Sequence, residues 1–250
     1  MTASQTIVLI LLGIAAGFIN TFAGGGSMLT VPFLIFLGLP ANMANATNRV
    51  AILLQNVVST GTFQRNKVLD LRHDYKLLIP TTLGSIVGAL AAVDIHEALL
   101  EKIIAGLLVV MFFMVLFDSD RWVKANTEKA KVQKTPIRFL LFFAIGFYGG
   151  FIQIGVGFFM LAGLVLGCGF DLLKANALKL FLVLIYTAIA LGIFIFYGLV
   201  DWKMGLLLAC GNMAGAWLGA RLSLKWGAKY IRYILMAALV IVALKLFGLF

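Results

Sequence analysis

Apolar residues fill long, nearly uninterrupted runs of this sequence, and short polar segments separate the runs. In the first half the runs predict helices at about Thr6–Phe22, Val50–Phe63, Leu77–Val93 and Leu99–Phe117, and a similar series starts at Phe139. Membrane-spanning helices need about 20 apolar residues to cross a hydrocarbon core of about 30 Å. The chain is 62% hydrophobic and 12% charged, whereas soluble domains contain about 25% charged residues. We therefore predict an all-α integral membrane protein.

Three consecutive glycines, Gly24, Gly25 and Gly26, interrupt the first apolar region. Each is about 1 kcal/mol worse than alanine inside a helix, and backbone groups freed within a bilayer must find partners other than water. The pattern predicts a helix break here, with Ser27 capping a new helix. The short apolar segment Met28–Leu37 then reaches only about halfway across the hydrocarbon core. Such broken or re-entrant hairpins hold the substrate in many transporters; close helix packing is the alternative interpretation of the glycines.

The second half of the chain repeats the first. The segment Gly13–Asn20 recurs as Gly146–Gln153, and Gly155 and Gly157 follow it. Further matches share one register and pair Asn45 with Asn176, Gly84 with Gly215, and Gly88 with Gly219. The two glycine pairs have the G-x-x-x-G spacing that lets membrane helices approach closely. Together the matches indicate an internal duplication.

Basic residues distinguish the equivalent loops of the two halves. The segment 64–76 contains four lysines and arginines, whereas its counterpart at 199–203 contains one. At the next turn the bias is reversed, because 221–232 contains four and the matching segment 94–102 contains one. Since lysine and arginine concentrate in cytoplasmic loops, equivalent loops are expected on opposite sides of the membrane.

The reversed bias predicts two inverted-topology repeats, 1–117 and 138–250, joined by a cytoplasmic connector at 118–137. In each repeat a broken or re-entrant hairpin precedes three transmembrane helices. The protein is expected to be a multi-pass protein of the cell (inner) membrane with both termini extracytoplasmic. Its net charge of +10 is spread over these loops, so nucleic-acid binding is not expected.

Two cations, Arg49 and Lys179, border predicted membrane helices at nearly equivalent repeat positions. A charge deep in a bilayer costs at least about 2.5–3.5 kcal/mol, so such a residue usually faces a cavity or a partner. With the two helix breaks and nearby amides, these cations suit a small oxyanion. The predicted substrate-binding residues are Asn20, Gly24, Gly25, Gly26, Ser27, Asn45, Asn48, Arg49, Gln153, Gly155, Gly157, Asn176 and Lys179.

Several of these residues have simpler interpretations. Arg49 can instead extend its side chain to the membrane surface, and Lys179 can serve only the charge bias of the loops. Asn45 and Asn176 can be helix caps. Gln55 and Asn56, which we leave out of the site, are interpreted as hydrogen-bonding links between helices.

A family resemblance rests on the same residues. The stretch Gly17–Asn20 with its three following glycines, Val31–Pro32, Gly38–Pro40 and the strip Ala44–Asn48 resemble the sulfite exporter TauE/SafE family. The resemblance covers nearly the whole chain and is weaker in the second half, where Phe158–Phe159 replaces expected small residues. It implies a permease for sulfite, organosulfonates or other small organic anions.

We therefore predict a secondary transporter that moves a small anion, sulfite or an organosulfonate, by alternating access, without an organic or metal cofactor. Coupling to H⁺ or Na⁺, the transport direction and the oligomeric state remain open. A passive anion channel is the first alternative, although it would need polar rings along a pore. An intramembrane enzyme is the second, and it would need a nucleophile and base at depth. Neither pattern is present in the sequence.

Overall fold

The computed structural model describes residues 1–22, 24–69, 74–117 and 135–246, and these ranges contain helices but no strands. Most of the connector predicted at 118–137 lies outside the described residues. A 3₁₀ turn covers Asp74–Leu77, and a π-helical turn covers Gly163–Gly167. The helices are α1 (Ala3–Phe22), α2 (Ser27–Phe36), α3 (Ala41–Arg65), α4 (Leu78–Val93), α5 (Glu97–Phe117), α6 (Thr135–Phe151), α7 (Val156–Ala162), α8 (Leu172–Phe196) and α9 (Trp202–Leu246).

Helix α3 begins earlier than its apolar run predicts. The polar strip before Val50 forms the first turns of α3, which starts at Ala41 directly after Pro40. The Glu97 side chain accepts a hydrogen bond from the Ala41 backbone N–H at 3.2 Å. A carboxylate at this end satisfies a free N–H and complements the helix dipole. The amino end of the strip is thus capped from α5, which the polarity of the strip did not indicate.

The last part of the chain also differs from the prediction. Two helices were expected after α8, separated by the basic segment 221–232, but α9 continues through that segment for 45 residues. The prediction of three separate helices after the second break is therefore wrong for this half. The segment contains no proline and is rich in leucine, lysine and arginine, which are favourable helix formers. Charge alone does not end a helix.

Helices from the two halves pack in a crossed arrangement, α1 against α9 and α6 against α4. Glycines form both interfaces. A Cβ added at Gly17 would lie 2.2 Å from the Asn212 carbonyl oxygen, and one added at Gly84 would lie 2.1 Å from that of Phe143. The backbones are thus too close for any other residue, as expected for the G-x-x-x-G spacing. Each half therefore supplies the packing partner of the other half's first helix.

The outer surface of the helices suits a bilayer. Of the described helices, α1 and α8 are long and apolar enough to cross a membrane, and α2, α4, α6 and the α7 segment are shorter apolar helices. Large apolar side chains point outward, and Phe36 and Phe196 are 80% and 84% exposed. Polar residues such as Asn48, Gln55 and Asn212 are instead fully or almost fully buried. Polar chemistry is therefore concentrated inside the bundle.

Candidate functional site

The two helix breaks contact each other at the centre of the bundle. A Cβ added at Gly24 would lie 2.2 Å from the Gly157 Cα, and one added at Gly157 would lie 2.2 Å from the Gly24 Cα. Gly24 also has a φ of +86°, which side chains other than glycine resist. The sequence predicted two breaks that build one site, and these glycines are the point at which the breaks meet.

The first break is held by side chains from neighbouring helices. After α1 ends at Phe22, the Asn20 Oδ1 accepts a hydrogen bond from the Gly26 N–H at 2.7 Å. Gly26 is the N-cap residue of α2, and no side chain caps this helix end. The predicted capping role of Ser27 is therefore wrong. Ser27 is the first residue of α2, and its Oγ accepts from the Asn48 Nδ2 at 3.2 Å.

The second break follows α6 and has an unusual backbone. Gln153 and Gly155 have φ values of +64° and +68°. A residue other than glycine held in this region stores of order 1–3 kcal/mol of strain, and such residues cluster at functional sites. The Gln153 Nε2 donates to the Thr187 Oγ1 at 2.8 Å, whereas its buried Oε1 has no hydrogen-bond partner. The strained residue thus presents a free acceptor at the break.

A cavity of about 20 Å³ lies between the breaks. This volume is close to the minimum that holds one water molecule, at about 10–15 Å³, and an oxyanion of four or more heavy atoms needs a larger space. The cavity therefore has room for about one water molecule. Its lining consists of Asn20, Gly24, Ser27, Ile52, Gln55, Asn56, Gln153, Val156, Gly157, Lys179, Leu180 and Val183.

Lys179 is the cation that lines this cavity. It is 1% exposed, and its Nζ donates to the carbonyl oxygens of Asn20 at 3.0 Å and Thr21 at 3.3 Å. These carbonyls belong to the last turn of α1, where a positive charge complements the helix dipole. An ammonium has three N–H donors, so one is left for a cavity occupant. Within the described residues no carboxylate pairs with Lys179.

Arg49 lies outside the lining of the cavity and binds the other broken helix. It is fully buried, and its Nη1 and Nη2 donate to the carbonyl oxygens of Gly149 at 2.9 Å and Gly150 at 2.6 Å, in the last turn of α6. Its guanidinium carbon is 4.6 Å from the centre of the Phe194 ring. The alternative that Arg49 extends to the membrane surface is therefore wrong. Each cation holds the end of the helix that precedes a break in the opposite half.

The structure brings six of the predicted residues to the cavity, namely Asn20, Gly24, Ser27, Gln153, Gly157 and Lys179. Asn45 and Asn176 lie inside helices α3 and α8, so their interpretation as caps is wrong. The Asn45 Nδ2 donates to the Phe151 carbonyl at 2.8 Å, whereas neither amide atom of buried Asn176 has a partner. The predicted residues outside the lining are Gly25, Gly26, Asn45, Asn48, Arg49, Gly155 and Asn176.

Gln55 is a cavity residue that the prediction left out. Its Oε1 accepts from the Asn20 Nδ2 at 3.4 Å and from the Asn212 Nδ2 at 3.0 Å. The interpretation of Gln55 as a link between helices is confirmed, and it also lines the cavity together with Asn56. Because both neighbours donate to its oxygen, its NH₂ group is available as a donor. Asn212, the partner of Gln55, was also missed by the prediction. The available signal was its position as an asparagine inside an apolar run.

The described residues contain no group of three or more histidine, cysteine, aspartate or glutamate side chains that could hold a metal ion. The described acidic residues lie in turns or near helix ends, as Glu97, Asp171 and Asp201 do. The centre of the bundle is therefore a small pocket with a buried cationic group, one free amide donor on Gln55, a free acceptor on Gln153 and two unwound backbone segments.

Comparison with known proteins identifies the family. The sequence matches the sulfite exporter TauE/SafE family over residues 9–246. The chain belongs to this family. The TauE/SafE resemblance of the glycine and asparagine motifs is thus confirmed, and the chain is a membrane transporter. No solved structure matches this TauE/SafE chain.

Similar proteins carry the same general description. The probable membrane transporter protein ORF9 of Sinorhizobium sp is 32% identical over 233 residues, which cover 92% of this chain and 88% of the relative. The probable membrane transporter protein YfcA of Escherichia coli K12 is 32% identical over 245 residues, covering 96% and 88%. A probable membrane transporter protein of Haemophilus influenzae is 30% identical over 227 residues, covering 90% and 88%.

Proposed function

We propose that this TauE/SafE chain is a secondary transporter that moves a small anion, sulfite or an organosulfonate, by alternating access. The substrate binds between the two helix breaks near the middle of the membrane. The repeats 1–117 and 138–250 have inverted topology, the connector is cytoplasmic and the N-terminus is extracytoplasmic. The predicted extracytoplasmic C-terminus is not retained, because α9 passes through 221–232 without a turn. The opposed loop charges and the crossed contacts between the halves support this arrangement.

The choice of an anion rests on Lys179. A buried ammonium that faces a cavity without a carboxylate partner is poorly compensated, and two backbone carbonyls supply only partial charges. An oxyanion would supply the missing charge and accept charge-assisted hydrogen bonds. The NH₂ group of Gln55 adds a neutral donor on the same cavity. A cationic substrate would meet repulsion and no counter-charge.

The small volume of the cavity supports a carrier with a closed state. About 20 Å³ admits no oxyanion, so the helices around the breaks must separate for the substrate to enter. Lys179 holds the end of α1 in the closed form. In the proposed cycle the anion replaces one of these carbonyls as a partner of the ammonium and so loosens α1. A passive channel would instead need a continuous polar path.

Paired substitutions test this proposal. Lys179→Gln should weaken sulfite or organosulfonate binding by about 10- to 150-fold, since a charged hydrogen bond contributes about 1.5–3 kcal/mol. Arg49→Gln removes an equally buried cation that does not line the cavity, so we expect a lower melting temperature with an affinity close to wild type. Isothermal titration of both purified variants measures the dissociation constants, and melting curves report their folding.

Two results would overturn the proposal. If folded Lys179→Gln binds the anions as tightly as wild type, the cavity is not the anion site. If the purified protein in liposomes gives an unsaturable anion conductance and no exchange of labelled anion against unlabelled anion, it is a channel. Repeating the exchange assay with an imposed H⁺ or Na⁺ gradient identifies the coupling ion.

A further inference from the structure

A second, larger concavity lies on the outer surface of the bundle, between α3 and α9. Its volume is about 830 Å³, which far exceeds the space an inorganic anion needs. The two helices run in the same direction, because Thr47 in the second turn of α3 accepts a hydrogen bond from the Asp201 N–H just before α9, and Gln55 bonds Asn212 further along both helices. The groove is lined by Val57, Val58, Gly61, Thr62, Arg65, Asn66, Trp217, Arg221, Leu224 and Lys225.

The groove changes from apolar to cationic along its length. On α3 the exposed Val57 precedes Arg65 by eight residues, and on α9 the half-exposed Trp217 precedes Lys225 by the same distance. Eight helical residues span about 12 Å. Because the helices are parallel, Arg65, Arg221 and Lys225 collect at one end, and Val57 and Val58 lie at the other. No carboxylate is present among the described residues that line the groove.

Arg221 is positioned by an aromatic neighbour. Its guanidinium carbon lies 4.1 Å from the centre of the Trp217 ring. Stacking of this kind fixes the plane of the guanidinium and leaves its N–H groups free to bind a phosphate in a bidentate manner. The exposed tryptophan has the amphipathic character of residues at the boundary between acyl chains and headgroups.

The equivalent helices of the other half, α8 and α4, lack these cations. In the register that pairs Asn45 with Asn176, the counterparts of Arg65, Arg221 and Lys225 are Phe196, Leu90 and Asp94. The packing of the repeated helices therefore does not require basic residues at these positions. The same residues carry the charge bias that is typical of the cytoplasmic surface, so the cationic end of the groove is expected at the level of the lipid headgroups.

We propose that the groove between α3 and α9 binds one phospholipid with an anionic headgroup. The phosphate contacts the three cations, and the acyl chains lie along Val57, Val58 and Gly61. A soluble anion would use only the cationic end and leave the exposed apolar wall unfilled. A bilayer lipid complements both ends, and basic pockets between membrane helices are known to favour such headgroups.

Native mass spectrometry of the purified protein with an equimolar mixture of phosphatidylglycerol and phosphatidylcholine of identical acyl chains tests the proposal. Wild type should retain phosphatidylglycerol preferentially. Arg65→Gln combined with Arg221→Gln should reduce this retention about 25-fold, or about fivefold for each cation. The control, Lys102→Gln combined with Lys203→Gln, removes two exposed charges elsewhere and should retain the lipid.

Two glycine substitutions test lipid binding in the groove by steric obstruction, without any change in charge. A Cβ added at Gly61 or at its counterpart Gly192 has no neighbour within 4 Å, so both sites tolerate a larger side chain. Gly61→Leu should obstruct lipid binding, and Gly192→Leu should not.

Any of four outcomes would overturn the proposal. They are equal retention of the two lipids, equal loss in both members of a variant pair, saturation of the groove by inorganic phosphate or glycerol phosphate alone, and a dimer that buries the groove. Either of the first two outcomes would show that the groove does not bind a specific lipid. The third would identify a site for a soluble anion, and the fourth would identify a contact between copies of the chain.

Discussion

The contact between the two breaks gives a sharp test at Gly24, where alanine introduces two separate problems. The first is the left-handed backbone, with φ at +86°, which costs about 1–2 kcal/mol for a residue with a Cβ. The second is the overlap of the new Cβ with the Gly157 Cα at 2.2 Å, which costs about 1–3 kcal/mol if the backbone shifts. Gly24→Ala should therefore be destabilised by both effects.

Gly38 provides a matched control. Its φ is +97°, but a Cβ added there has no neighbour within 4 Å, so Gly38→Ala carries only the backbone penalty. The difference in melting temperature between the two variants therefore measures the cost of the overlap alone. At about 2–4 °C per kcal/mol for a chain of this size, Gly24→Ala should melt about 2–12 °C below Gly38→Ala. Thermal unfolding followed by tryptophan fluorescence in one detergent measures this difference.

A double-mutant cycle completes the test. Gly157→Ala creates the same overlap from the other side, at 2.2 Å from the Gly24 Cα. Once one methyl group has separated the breaks, the second meets less resistance, so the penalties should fall short of additivity by about 0.5–3 kcal/mol. Two results would show that the breaks do not touch and do not form one site. The first is an equal melting temperature for Gly24→Ala and Gly38→Ala. The second is a double variant whose loss of stability equals the sum of the losses in Gly24→Ala and Gly157→Ala.

Three further predictions concern charge, strain and topology. Gln55→Glu keeps the oxygen that accepts from its two neighbours but adds a negative charge, so titration should find anion binding weakened at least about tenfold; unchanged binding would contradict an anion site. Lys67→Gly relieves a φ of +58° and should gain about 0.5–1 kcal/mol of stability in melting experiments. Gln153→Gly relieves a φ of +64° but loses the buried hydrogen bond to Thr187, which offsets the gain; only this variant removes a cavity side chain and should change the affinity, and equal affinity would exclude Gln153 from the site. In a cysteine-free background, a cysteine at Asn66 should react with an impermeant maleimide from the cytoplasmic side and one at Lys203 from outside, and labelling from the same side would refute inverted repeats.

Features set by local backbone chemistry were predictable from the sequence. Three adjacent glycines cannot continue a helix cheaply, so the position of the first break follows from Gly24–Gly26 alone. The counterpart at Gly155 and Gly157 follows from its place in the repeat. Apolar runs likewise predicted most helices, but not the amino end of α3, which Glu97 caps from a distant part of the chain.

It was not predicted that Lys179 lines the cavity whereas Arg49 binds the end of α6. The repeat equivalent of Lys179 is Asn48, one residue before Arg49, and one residue rotates a side chain by about 100° around a helix. That rotation directs Lys179 to the cavity and Arg49 to the end of α6. Asn212 reaches Gln55 from α9, a contact that neither local sequence nor the repeat indicates.

The crossed packing has a consequence for biosynthesis. The glycine face of α1, with Gly13 and Gly17, contacts Asn212 of α9, so α1 leaves the ribosome long before its partner exists. Contacts between such distant segments form slowly because a long loop must close first. During translation α1 therefore lies in the bilayer before α9 packs against its glycine face. A chain cut short before Trp202 lacks this partner altogether and leaves the glycine face of α1 exposed.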